Sequence, residues 1–210
     1  MLKRVPVSGL TFLATIALLV PRVSIAAEIP AGEVRTPAGA ALRWEMDFES
    51  GILWRAGHTG TDLNYLLLPQ ILTLKSPAVM RRPLKGGELV MRSRFSLLHE
   101  PIVKGPESHF TAVTASGILE WRSPAQTFAI FFSSGGGVGF LDSKGYETKG
   151  AQGQDFNLTW FLYPGIRFQG SERMNAALGI YYQHVSNGGM DKVNPGIDAV
   201  GPLLSLGWRF

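Results

Sequence analysis

From Arg43 to Phe210 the chain sets apolar against polar residues with a period of two, and this alternation is the tightest constraint on its fold. Trp44, Met46, Phe48, Ile52 and Trp54 share one parity, while Arg43, Glu45, Asp47, Glu49 and Arg55 share the other. Successive side chains of a strand point to opposite faces, so the pattern predicts a strand with one greasy face and one wet face. The same alternation sets Leu89, Met91, Phe95 and Leu97 against Glu88, Arg92, Arg94 and Ser96. It sets Val113, Ala115, Leu119 and Trp121 against Thr114, Ser116 and Glu120. Phe128, Ile130 and Phe132 oppose Thr127, Ala129 and Ser133, with Phe131 out of step. Phe156, Leu158, Trp160, Leu162, Ile166 and Phe168 oppose Asp155, Asn157, Thr159 and Arg167. Residues 62–74 are apolar on both parities and make the weakest strand; with 174–187 and 198–210 the count reaches eight.

An even number of half-apolar strands predicts an all-β fold: an eight-stranded antiparallel transmembrane β-barrel of the bacterial outer membrane, its apolar rows facing lipid and its charged rows facing inward. A soluble β-sandwich uses the same alternation with the apolar row turned to a core. The connections favour the barrel. The turns Ser123-Pro124-Ala125 and Gly170-Ser171-Glu172 are tight, whereas the links at 100–107 and 140–152 on the other rim are longer. The link at 75–87 breaks that rule, being long on the short-turn side. Trp44, Trp121 and Trp208 fall near one rim as an aromatic girdle should. The terminal Phe210 on an alternating last strand resembles the signal read by the barrel-assembly machinery.

The first segment reads as an export leader, residues 1–26, with basic Lys3 and Arg4, an apolar core from Leu10 to Val20, and a small-x-small site at Ser24-Ile25-Ala26. Residues 27–42 form a Pro- and Gly-containing lead-in, and 43–210 the barrel. Removing the leader takes away Lys3, Arg4 and Arg22 and no acid, so the formal charge falls from +4 to +1. The mature chain therefore carries no electrostatic footprint for nucleic acid. There is no cysteine, which excludes disulfide and thiol chemistry.

Within this frame, the hairpin 174–210 collects reactive groups. On its first strand Ala176, Leu178, Ile180 and Tyr182 form the outward row, which His184 and Ser186 continue. On its second, Phe210, Trp208, Leu206, Leu204, Pro202 and Val200 form the outward row, which Asp198 continues. A register with His184 opposite Asp198 also sets Met174 opposite Trp208, matching the strand ends. All three groups then sit outside the barrel near the long-loop rim. Polar groups on a lipid-facing surface are costly unless used. The chemistry that fits is ester hydrolysis, with Ser186 as nucleophile, His184 as base and Asp198 holding the imidazole. Gly188-Gly189 offers unhindered backbone N–H donors for an oxyanion, and Asn194 a side-chain donor. Asn187, on the inward parity of the same run, joins Gly189 and Asn194 in the expected oxyanion and substrate-binding set.

His184-x-Ser186-Asn187-x-Gly189, then Asn194-Pro195-Gly196 and an acid at Asp198, resembles the lipid A 3-O-deacylase family. The match is specific over 181–198 and architectural elsewhere. It implies an eight-stranded outer-membrane barrel with a His-Ser-Glu triad on its outer face, removing the 3-hydroxyacyl chain esterified at the 3-position of lipid A. By that resemblance Ser186 attacks, His184 is base, Asp198 orients it, and Asn194 with the Gly189 amide receives the oxyanion. Asp198 departs from the family's glutamate, and Asp191 is a candidate helper. The implied partners are lipid A within lipopolysaccharide, outer-membrane lipid and the assembly machinery; a homodimer is compatible, and no cofactor or metal is called for.

Blander readings stand beside these. A non-enzymatic small barrel serving adhesion or membrane integrity uses the same architecture, with Asn-Gly-Gly and Asn-Pro-Gly as ordinary turns. Acyl transfer to another lipid shares the acyl-enzyme step with hydrolysis. Gly135-Gly136-Gly137-Val138-Gly139 lacks the Lys-Ser/Thr of a phosphate loop and reads as a strand end entering a flexible loop. His58, His99 and His109 read as loop-end histidines at no ligand-like spacing. The sequon Asn157-Leu158-Thr159 falls inside a strand.

Overall fold

The computed structural model describes residues 43–57 and 61–210. The leader, the lead-in and His58 lie outside the described residues. Eight strands succeed one another, each antiparallel to the next. β1 is Glu45–Gly51 continued by Leu53–Arg55. β2 runs in three pieces, Leu66–Leu67, Gln70–Lys75 and Met80–Leu84. The others are continuous: β3 (Gly87–Lys104), β4 (His109–Arg122), β5 (Phe128–Leu141), β6 (Phe156–Gln169), β7 (Met174–Ser186) and β8 (Ile197–Arg209). Glu45 of β1 pairs with Arg209 of β8, so the sheet closes and leaves no edge. Among the described residues there is no helix.

The burial pattern is that of a soluble protein turned inside out. Phe48, Phe95, Ile130, Phe168, Leu178 and Leu206 are exposed on the outside, while Glu45, Asp47, Lys75, Arg92 and Glu120 are buried inside. Water would not tolerate so continuous an apolar belt, whereas hydrocarbon does. Trp44, Trp121 and Trp208 cluster at the end holding both described termini, where Phe210 N–H donates to Trp44 O at 3.1 Å.

The lumen is filled in two layers. Toward the terminal rim Glu45 accepts from Arg92 (3.1 Å), Arg167 (2.8 Å), Arg209 (2.8 Å) and Lys75 (3.2 Å). Glu120 pairs with Arg122 and Arg167, Asp47 with Lys75, and Glu49 with Arg94. Desolvating one such charge costs several kcal/mol, so only reciprocal partners make the layer tenable. Above it lies a mainly apolar layer that includes Leu53, Leu67, Ile71, Leu98, Phe161 and Leu203, with the buried pairs Gln183–Glu100 and Tyr65–Glu107 toward the loop rim. This is why 62–74 is apolar on both parities: Leu67 and Ile71 face that layer while Leu72 faces out. It also explains Phe131, which points inward against Tyr163 and Arg167.

Four expectations are corrected. The link at 75–87 is not a long loop on the short-turn side. After an irregular stretch at 76–79, β2 resumes as Met80–Leu84 and pairs with β3, so the turn itself is only residues 85–86. The link at 100–107 is mostly strand, because β3 persists to Lys104 and β4 begins at His109. The glycine run is the middle of β5 rather than an entry to a loop. A Cβ on Gly137 would lie 1.9 Å from Val113 O, so the missing side chains let β4 and β5 approach. His99 lies within β3 and His109 opens β4, their rings 6.0 Å apart, rather than in loops.

Candidate active site

Strands β7 and β8 meet in the register read from the sequence, Met174 opposite Trp208 and His184 opposite Asp198. Leu178, Ile180, Leu204 and Leu206 point outward on these strands, and Tyr181, Gln183, Ala199 and Leu203 point inward. Continuing the outward rows away from the terminal rim brings His184, Ser186 and Asp198 to one patch of outer wall. Because the lumen beneath is filled with side chains, only the exterior face of this patch can meet a ligand.

The three side chains form one hydrogen-bonded line. His184 Nδ1 lies 2.8 Å from Asp198 Oδ1, and His184 Nε2 lies 2.9 Å from Ser186 Oγ. A carboxylate can only accept, so Nδ1 carries the proton and Nε2 is left to accept from the serine hydroxyl. That tautomer is what a base needs to draw a proton from serine. The Asp198 residue is 8% exposed and the His184 side chain 27% exposed, so the acid is sheltered and the base is reachable. The aspartate, although shorter than glutamate, reaches the ring because the two residues stand directly opposite.

Two aromatic neighbours were not anticipated. Tyr182, read only as part of the lipid-facing row, donates from Oη to Asp198 Oδ1 at 2.7 Å. Trp160 of β6, opposite His184 in register, stacks on the imidazole with centroids 5.7 Å apart and planes at 30°. The outward parity of both residues was legible; their contacts depend on strand pairing and tilt.

The β7–β8 loop, residues 187–196, is tied internally. Asn187 is fully buried; its Nδ2 donates to Val193 O at 3.0 Å, and its Oδ1 accepts from Gly189 N–H at 2.9 Å. Asn187 therefore organises the loop from inside instead of facing a substrate, and the Gly189 N–H is already engaged. Asn194 Oδ1 accepts from Asn187 N–H at 2.9 Å, which fixes the carboxamide beside Ser186. Gly188, at φ 64, is exposed, and its N–H has no acceptor among the described residues. Gly196 turns the chain back at φ 77, passing so close that a Cβ there would sit 3.2 Å from His184 Cε1.

A second loop braces the first. Within 142–155, Gly153 N–H donates to Val193 O at 3.0 Å and Tyr146 Oη to Asp191 at 2.9 Å. Asp191 is thus committed to Tyr146 and to Val193 N–H, and is not the helper of Asp198 considered from the sequence. The Asp191 carboxylate pushes the Tyr146 phenol above its ordinary value. Asp155 accepts from the Ser143 hydroxyl and N–H, which hold its carboxyl below the usual range. For Asp142 burial works in the opposite direction, but the N–H donors of His109 and Ser108 overcome it and keep the carboxyl low.

The family model for lipid A 3-O-deacylase (PagL) matches residues 38–208. Among solved structures the chain is similar to that of the outer membrane enzyme PagL, at 14% identity and a TM-score of 0.51, covering 78% of this chain and 99% of that one. It is also similar to Ail, the attachment invasion locus protein of Yersinia pestis, at 12% identity and a TM-score of 0.43, covering 80% of this chain and 97% of that one. The first likeness speaks for the shared fold. No curated protein sequence matches the chain.

Proposed function

The chain belongs to the lipid A 3-O-deacylase (PagL) family, and from that premise we propose that it is an outer-membrane serine esterase that hydrolyses the 3-O-linked hydroxyacyl ester of lipid A. The observation that carries the reading is the Ser186–His184–Asp198 line on the outer wall, with the base in the tautomer that accepts from serine. Ser186 Oγ attacks the acyl carbonyl while its proton passes to His184 Nε2. The oxyanion is met by the Asn194 carboxamide, held beside Ser186 by the Asn187 N–H, and by the exposed Gly188 N–H. Gly189 N–H reaches it only if the Asn187 bond is given up. Collapse of the tetrahedral intermediate breaks the ester C–O bond, and the sugar alkoxide leaves with the proton from His184. Water, deprotonated by the same nitrogen, then releases the acyl group from Ser186 as a 3-hydroxy acid. Throughout, Asp198 steadies the imidazolium.

Placement supports the substrate. The site lies at the end of the barrel opposite both described termini, where the exposed apolar wall gives way to polar loops. In an outer-membrane barrel the longer loops face the exterior, so the site meets the outer leaflet at the height of glucosamine esters.

The test is mass spectrometry of lipid A from outer membranes bearing the full chain, Ser186→Ala or His184→Asn. The intact chain should remove one 3-hydroxyacyl group and the variants should not. Unchanged lipid A in all three, with the barrel folded, overturns the esterase reading and favours a non-enzymatic barrel.

A further inference from the structure

Tyr182 and His184 are two residues apart on β7, so their side chains stand side by side on the outer wall. In the β7–β8 register Tyr182 lies opposite Val200 and His184 opposite Asp198. Tyr182 is therefore on the diagonal from Asp198, a separation that a long aromatic side chain can bridge. It does so: Oη donates to Asp198 Oδ1 at 2.7 Å, the oxygen that also accepts from His184 Nδ1 at 2.8 Å. Trp160 packs on the Tyr182 ring, with centroids 5.3 Å apart, and steadies it from the other side.

An aspartate carboxylate turns about χ2 in a broad well. A donor reaching the same oxygen from a direction other than that of His184 narrows that rotation. On a wall that faces lipid, an ion that loses such a donor costs more to keep there.

We infer that Tyr182 is a positioning residue for ester hydrolysis: its hydroxyl holds the Asp198 carboxylate in line with His184 Nδ1. It touches neither substrate nor the reacting atoms and acts only through Asp198. This inference rests on the esterase reading of the site.

The experiment is a double-substitution cycle on the full chain in detergent, with lipid A as substrate: Tyr182→Phe, Asp198→Asn, and both together. Phenylalanine keeps the ring that packs on Trp160 and removes only the hydroxyl. Tyr182→Phe should lower kcat about tenfold with KM unchanged, since one hydrogen bond to a charged group is lost. In the Asp198→Asn background the same change should cost less than about twofold, because the carboxylate it serves is gone. Equal losses in both backgrounds, or a raised KM at unchanged kcat, would overturn the inference and make Tyr182 a substrate contact.

The proton resonance of His184 Nδ1–H provides a readout independent of turnover. Tyr182→Phe should shift and broaden it, and an unmoved resonance also overturns the inference. If the unsubstituted chain fails to deacylate lipid A, the esterase reading falls on its own, and the resonance still decides whether Tyr182 holds the pair.

Discussion

Trp160 and His184 stand opposite each other on β6 and β7, with ring planes at 30° and centroids 5.7 Å apart. An indole face attracts a cation far more than a neutral ring. On the proposed mechanism the stack strengthens when His184 takes the serine proton, which is when stabilisation speeds the reaction. Trp160→Ala should lower kcat by roughly threefold to tenfold with little change in KM, and Trp160→Phe by less. Steady-state kinetics of the two variants checks this.

Asp198 holds the imidazole tautomer. An asparagine can present its N–H₂ to Nδ1 and stabilise the wrong tautomer, so Asp198→Asn should reduce kcat by about 10³- to 10⁴-fold, the scale seen in Ser-His-Asp triads. Circular dichroism should show the barrel intact. Retention of most activity would remove Asp198 from the mechanism.

Gly196 and Gly86 separate strain from contact. Both have φ near +80°, 77° and 81°, where an L side chain costs roughly 1–2 kcal/mol. A Cβ on Gly196 would press on His184 Cε1 at 3.2 Å, whereas one on Gly86, at the opposite rim, meets nothing within 4 Å. Both alanine variants should lose similar stability in urea unfolding, but only Gly196→Ala should lose activity.

Glu45 gathers four cations in the lumen: Lys75, Arg92, Arg167 and Arg209. Glu45→Gln leaves them facing one another with one counter-charge fewer. The expected loss is about 3–5 kcal/mol, as for other broken buried pairs. Urea unfolding followed by gel mobility of the folded and unfolded barrel measures it.

Acid should loosen the brace over the site. Asp155 and Asp142 have carboxyls held below their ordinary values by Ser143, and by His109 and Ser108. A depressed folded value means that the stabilisation is complete above the unfolded pKa of about 3.9 and is lost as pH falls through the folded values. Hydrogen exchange of residues 142–155 should be constant from neutral pH down to about 4 and should rise, relative to its intrinsic rate, only below that. A rise in that relative rate between pH 5 and 7 would contradict the assignment.

The hairpin was legible in unusual detail because a period of two leaves no freedom: a one-residue slip would turn every apolar side chain of β7 or β8 to the wrong face. Residues 174 and 208 at the strand ends set the register, and 184 and 198 follow from it. The same logic failed for β2. Its lower end resumes pairing after the irregular stretch at 76–79, and its upper end faces an apolar layer, so neither alternation nor length marked it correctly.

What the sequence alone determined is the list of residues on each face of each strand, since that depends only on the alternating geometry of an extended chain. From it came the closed barrel and the exterior placement of His184, Ser186 and Asp198. Only the tertiary structure decided which polar atoms meet. The Tyr182 hydroxyl on Asp198 and the Trp160 stack on His184 arise from distances between different strands. Those distances are set by barrel tilt and by a lumen packed with side chains of both kinds, and parity along one strand carries no information about either.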